Sequence, residues 1–176
     1  MAISALTMLL ELVVRPAEGG RLFMRKANEL ESSGASNVRR ELEPRQGALR
    51  DWNRILIQQT GSENGDPSNL TRLTPERWHF LVGNGNGVNL GDVHIFKIWD
   101  TQGFAQGRTL LEQPRTIVIG LVGSDHRLPE GAQTNNLVDF CRFLCRELSI
   151  PVSNVDCKIA EGSVLDTAEL FRKIGQ

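Results

Sequence analysis

The run Thr116-Ile-Val-Ile-Gly-Leu-Val122 carries no charge over seven residues. A strand apolar on both sides belongs at the centre of a sheet covered on both faces, the pattern of parallel α/β proteins. Shortly after it, Leu137, Phe140, Cys141, Leu144 and Leu148 fall on one stripe of a helix. That amphipathic face needs a sheet to lie on. Pro129 suits the first turn of this helix and Ile150-Pro151 ends it. The two features together predict an α/β domain with a central mixed β-sheet flanked by helices.

Other segments fit the same plan. Arg54–Thr60 reads as a strand whose polar carboxyl end, Gln58-Gln59-Thr60, faces a site or solvent. Gly61–Asn69 reads as loop, with a turn or short helix opening at Thr74-Pro75-Glu76. Trp78–Val82 and Val93–Trp99 read as two further strands, and Val155–Ile159 as a short extended piece. Asp166 and Glu169 have capping-box spacing and start a last helix through Ile174. Between two of the strands, Gly83-Asn-Gly-Asn-Gly87 demands unusual backbone angles and reads as a bulged hairpin loop.

Residues 1–47 read as an extension and 48–176 as the domain. Ala2–Val14 is almost continuously apolar, with Ile3, Leu6, Leu10 and Val13 or Val14 on one helical stripe. It makes a poor export signal: no Lys or Arg precedes it, and Glu11 interrupts it. It is expected to pack on its own domain, to dock on a protein partner or to be the remnant of a processed leader. Arg21–Glu31 reads as a second short helix, followed by a Ser/Gly linker through Asn37.

Composition excludes several classes. Lys and Arg total 20 against 21 Asp and Glu, which argues against a general nucleic-acid binder. No run of 18 apolar residues exists, so no spanning helix is expected. The glycine loop lacks the Lys and the following helix of a phosphate loop. Cys141, Cys145 and Cys157 give no disulfide framework, and Cys141 and Cys145, four apart on a helix, read as small buried hydrophobes. His79, His94 and His126 lack the i, i+4 spacing of helical zinc proteases. His79 and His94, read as cross-strand neighbours, form a zinc site with Cys157 only in principle.

Taken in order, several blocks resemble the N-acetylmuramoyl-L-alanine amidase family, the zinc amidase fold shared by phage amidase lysozymes and peptidoglycan recognition proteins. They are W-N-R-I-L-I-Q-Q-T at 52–60, R-W-H-F-L-V-G-N-G-N-G at 77–87, I-W-D-T-Q-G at 98–103, T-I-V-I-G-L-V-G-S at 116–124, L-C-R-E-L-S-I-P at 144–151 and D-T-A-E-L-F at 166–171. The resemblance spans residues 50–172, and its most specific blocks are framework motifs. It implies an amidase-like fold with a helical N-terminal extension, of bacterial or phage origin, in the envelope or the cytoplasm.

The family's functional positions are altered. Where it carries a zinc-binding His at the end of the first strand, this chain has Gln58-Gln59-Thr60. The place of the second zinc His falls on Cys157, and that of the third ligand on Asp166, or on Leu165 if the loop differs by one. Trp78, before His79, stands where the family has a catalytic Tyr, and Gln106 falls in its Gly-Ala-His block. A Gln amide is a weak ligand, and an indole N–H cannot exchange a proton at neutral pH. The resemblance therefore implies a catalytically degenerate domain with no zinc or other cofactor. It binds a muramyl peptide in a cleft lined by Gln58, Gln59, Trp78, His79, Gln106, Cys157 and Asp166, or serves as a structural subunit docked through residues 2–14. The rival expectation is an active zinc amidase with shuffled ligands.

Overall fold

The computed structural model describes residues 20–23, 49–73, 77–105, 114–124, 131–158 and 167–175, with backbone alone at 20–23 and at Thr167 and Glu169. Among the described residues, six strands form one mixed sheet: β1 Gly20–Phe23, β2 Arg54–Gln59, β3 Phe80–Val82, β4 Val93–Phe96, β5 Thr116–Leu121 and β6 Val155–Lys158. Their order is β1-β4-β3-β5-β2-β6. The strands β3, β5, β2 and β6 run parallel, while β4 is antiparallel to both β3 and β1. The helices are α1 Pro67–Leu73, α2 Lys97–Asp100, α3 Gly131–Glu147 and α4 Thr167–Ile174, with a 3-10 turn at Val152–Asn154. The α/β class with a mixed sheet is thus as the sequence implies.

Side chains alternate across a strand, and register partners on adjacent strands share a face. One face carries Ile55, Ile57, Phe80, Val82, Val93, Ile95, Ile117, Ile119 and Leu121, buried with Leu137, Phe140, Cys141 and Leu144 of α3 and Leu170 and Ile174 of α4. The helical stripe predicted from spacing is the one that packs. Beyond α3, Ser149 takes the left-handed conformation (φ 54°) and the Ile150 N–H donates to the Cys145 carbonyl at 2.9 Å, closing the helix before Pro151. The second face buries Leu56, Leu81, Phe96 and Val118 under Leu70 of α1, Trp78, Ile98 and Ala105.

As expected, β5 is central and all six of its residues are buried. Chain paths on its two sides differ. From β2 the chain passes through α1 on the second face and crosses β5 to reach β3. From β5 it passes through α3 on the first face and crosses β2 to reach β6. Crossovers of one hand that travel in opposite directions must use opposite faces, as these do. The neighbours β2 and β5 therefore flank a topological switch point, the place where open α/β sheets leave a crevice at the strands' carboxyl ends.

Three local readings change. The apolar run Val93–Trp99 is not one strand: β4 ends at Phe96 and α2 follows. Continued alternation would have put Lys97 with Val93 and Ile95 in the α3-side core. The helical turn exposes Lys97 and buries both Ile98 and Trp99. The loop expected over 61–69 gives way to α1 at Pro67. The Asp66 carboxylate accepts the Ser68 N–H at 2.9 Å and the Ser68 hydroxyl at 2.6 Å, and Pro67 occupies the first helical position. These bonds hold the Asp66 pKa below its ordinary value.

The third change lies in the segment read as an extension. Gly20–Phe23 is a strand paired with β4, not the start of a helix over 21–31. It satisfies β4's outer backbone edge. The helix expected at 2–14 lies outside the described residues.

The glycine run joins β3 to β4 as a hairpin connection, as expected. Gly87 has φ 91°, and a Cβ there would lie 2.3 Å from the Asp66 nitrogen. The loop can seat against the start of α1 only with glycine at this point.

Candidate functional site

The residues assigned to one cleft by resemblance do not converge. Gln58 pairs in register with Lys158 and Gly120, on the second face. Cys157 pairs with Ile57 and packs against the α3-side core. Gln58 and Cys157 thus point to opposite sides of the sheet and cannot grip one ion. Burial, with the Asp156 charge adding to it, pushes the Cys157 thiol up to about 12, so it is a protonated packing group rather than a thiolate ligand. Gln59, one residue beyond Gln58, falls on the Cys157 side, and its Nε2 lies 3.5 Å from the Ser124 carbonyl. Cys157 is therefore corrected from cleft residue to core residue.

The histidine and tryptophan that follow α1 are likewise internal. His79 is fully buried. Its Nδ1 accepts the Val118 N–H at 2.9 Å, which leaves Nε2 as the protonated nitrogen donating to the Gly103 carbonyl at 3.1 Å. The His79 backbone pairs with both neighbours, its N–H donating to the Val118 carbonyl at 2.9 Å and its carbonyl accepting the Phe96 N–H at 3.0 Å, and the imidazole gives β5 a further acceptor. The ring also meets Trp52 edge-on at 5.0 Å. Burial lowers the His79 pKa to about 4; the Gly103 bond opposes this and the Arg50 charge adds to it. His79 is a neutral structural fastener.

Trp78 is 2% exposed, so it has no free ring face for stacking on a sugar. Its ring lies where a Cβ on Gly120 would come within 3.1 Å, which is why a small residue is needed on β5 there. The Trp78 Nε1 has no hydrogen-bond partner among the described residues, nor has the buried Nε2 of His94. Burial lowers the His94 pKa to about 4 as well. His94 lies two register steps beyond Gly120, across Leu81, so the row Lys158–Gln58–Gly120–Leu81–His94 crosses the second face.

What gathers at Gln58 is different from the expected set. Arg77 donates from Nη2 to Gln58 Oε1 at 3.3 Å, and its guanidinium sits 4.7 Å from the Trp78 ring centroid. Four residues earlier on β2, Arg54 pairs with Asp156 of β6. The crevice between β2 and β5 themselves is bridged. The Thr60 N–H donates to the Leu121 carbonyl at 3.0 Å, Ser62 forms a β-bridge with Gly123, and the Ser124 hydroxyl donates to Glu63 at 3.0 Å. Gln58 is 7% exposed, and Lys158 beside it on β6 is exposed. Sequence reasoning missed Arg77 and Lys158; their signal was the polar end of β2, whose partners only the register reveals.

Among the described residues, no group of three His, Cys, Asp or Glu side chains could hold a metal ion. The zinc of the resembled family does not fit Gln58 and Cys157, which lie on opposite faces of the sheet. Gln106 and Asp166 lie outside the described residues. No described helix is long and apolar enough to cross a membrane. Comparison with known proteins finds no family model, no curated protein and no solved structure that matches the chain.

Proposed function

We propose that this chain is a catalytically silent, amidase-like domain that binds a muramyl peptide at the carboxyl end of β2 without cleaving it. One observation carries the reading: at the position where the resembled family grips zinc, a neutral Gln58 carboxamide is held by Arg77 beside a topological switch point. A guanidinium repels a divalent cation, and an amide oxygen already engaged by it is a poor ligand. The same groups hydrogen-bond well to peptide carbonyls and carboxylates. Calorimetry of the full chain with muramyl dipeptide tests the reading. Saturable binding without amide release is expected; no heat at millimolar ligand would overturn it. Stoichiometric zinc together with release of stem peptide from peptidoglycan would establish the active amidase instead.

The burial of Trp78 and His79 favours a second reading, a scaffold in a larger assembly, because it removes two residues from any cleft. Deleting residues 2–14 then changes the oligomeric state or abolishes co-purification of a partner. An unchanged monomer counts against it.

A further inference from the structure

We infer that the site at Gln58 is built for an oxyanion, with a carboxylate as its ligand. The inference rests on the reading of this site as a binding site and names the chemistry it selects. A guanidinium has donors only, so the atom of Gln58 that faces Arg77 is the carboxamide oxygen. That leaves the carboxamide NH2, which makes no hydrogen bond among the described residues, with Gln58 itself 7% exposed. Arg77 has no carboxylate partner among those residues either, so its remaining N–H groups are available. Lys158 is exposed and sits beside Gln58 in register on the same face.

On the other register side of Gln58, the Trp78 ring covers Gly120, and its buried Nε1–H has no partner among the described residues. Leaving such a donor unpaired costs about 1–3 kcal/mol. The side chains gathered at Gln58 therefore donate: an amide, a guanidinium and an ammonium. The nearest carboxylate on β6, Asp156, is engaged by Arg54. A donor-only set with two formal positive charges selects an acceptor-only ligand. The planar forks of Arg and the carboxamide match the two oxygens of a carboxylate.

The test is a ¹⁵N–¹H titration of the full chain at constant ionic strength with sodium acetate, inorganic phosphate and muramyl dipeptide, and chloride as the blank. The Gln58 carboxamide and Trp78 indole signals, assigned with Gln58→Glu and Trp78→Phe, are followed. Saturable shifts with acetate and with muramyl dipeptide are expected. Arg77→Gln should weaken both by about tenfold, the loss of one charge-assisted hydrogen bond. Gln58→Glu should abolish binding, since its own carboxylate then occupies Arg77.

Shifts no larger than the chloride blank in the unaltered chain overturn the inference. Muramyl dipeptide binding that survives Arg77→Gln also overturns it, while leaving the muramyl reading in place. Acetate binding lost in Arg77→Gln, with no response to muramyl dipeptide, upholds the anion site and removes the muramyl reading. Phosphate binding tighter than acetate overturns the assignment to carboxylate. A folding defect in Arg77→Gln is bypassed by Lys158→Gln, an exposed position, which should lower affinity about twofold to threefold.

Discussion

On the α3 side of the sheet, Ile55, Ile57, Ile117, Ile119, Phe80 and Phe140 are entirely excluded from solvent and pack in one apolar cluster. On the opposite side, Leu56, Val118 and Leu81 share the surface with Gln58, His94 and the ion pair of Arg54 with Asp156. The first face is continuous apolar packing. On the second, polar groups are set among apolar ones, and the buried nitrogens of Trp78 and His94 lack partners among the described residues. A sheet needs only one fully apolar face to hold its helices; the other is free to carry chemistry. The polar carboxyl end of β2 belongs to this freer face through Gln58.

The largest effect that separates the faces is on stability. Phe140 sits edge-on to Phe80 at 5.0 Å in the α3-side core. Phe140→Ala should cost about 3–5 kcal/mol, whereas Gln58→Ala should cost no more than about 1 kcal/mol. Urea denaturation of both variants measures the gap. Equal losses would mean that the two faces are equally load-carrying and would break the comparison.

Histidine protonation gives the next effect. Folded His79 keeps its proton off down to about pH 4, against an ordinary value of 6.5 in the unfolded chain. Between those values the unfolded state binds more protons, so stability falls as pH drops through the window, by up to about 3 kcal/mol. His94 adds a second contribution of the same sign. Denaturation midpoints from pH 7 to 4.5 should therefore fall steeply. His79→Leu should lose about 2–4 kcal/mol at pH 7, because Val118 and Gly103 are each left without a partner. His94→Phe should be near neutral at pH 7, since its buried Nε2 bonds nothing among the described residues, and should flatten the pH slope. A slope unchanged in both variants would remove the histidines as its cause.

These effects also show what the sequence could and could not reveal. Apolar runs and the helical stripe at 137–148 carry their own period, so β2, β5 and α3 were legible from local spacing. Asp66-Pro67-Ser68 carried a start signal for α1 that was read as loop because the helix behind it has only one buried residue, Leu70. The turn at Lys97 was not legible, since a seven-residue apolar run fits a strand and only the side reached by Lys97 decides against it. Site residues were less legible still. Gln58 was singled out by its place at the strand end, but a list of residues does not say which face each one takes. One residue of register decides whether a side chain meets solvent or core. That is how Cys157 went to the α3 side and Trp78 into the interior.

Cys157 supplies the smallest expected effect and the sharpest discrimination. If the faces are separate, Cys157→Ala removes a thiol packed near Cys141 on the α3 side and costs about 1 kcal/mol of stability. It leaves the affinity of the Gln58 site for acetate and muramyl dipeptide unchanged, because sites with no shared partners add independently. Zinc content should not respond either, and iodoacetamide at pH 8 should label Cys157 far more slowly in the folded chain than in urea, its thiol being held protonated. A Cys157→Ala variant that lost ligand or zinc binding while keeping its fold would place Cys157 and Gln58 in one site. Because Ile57 and Gln58 are consecutive on β2, that result would require the β2–β6 register to differ by one residue from the pairing of Ile57 with Cys157.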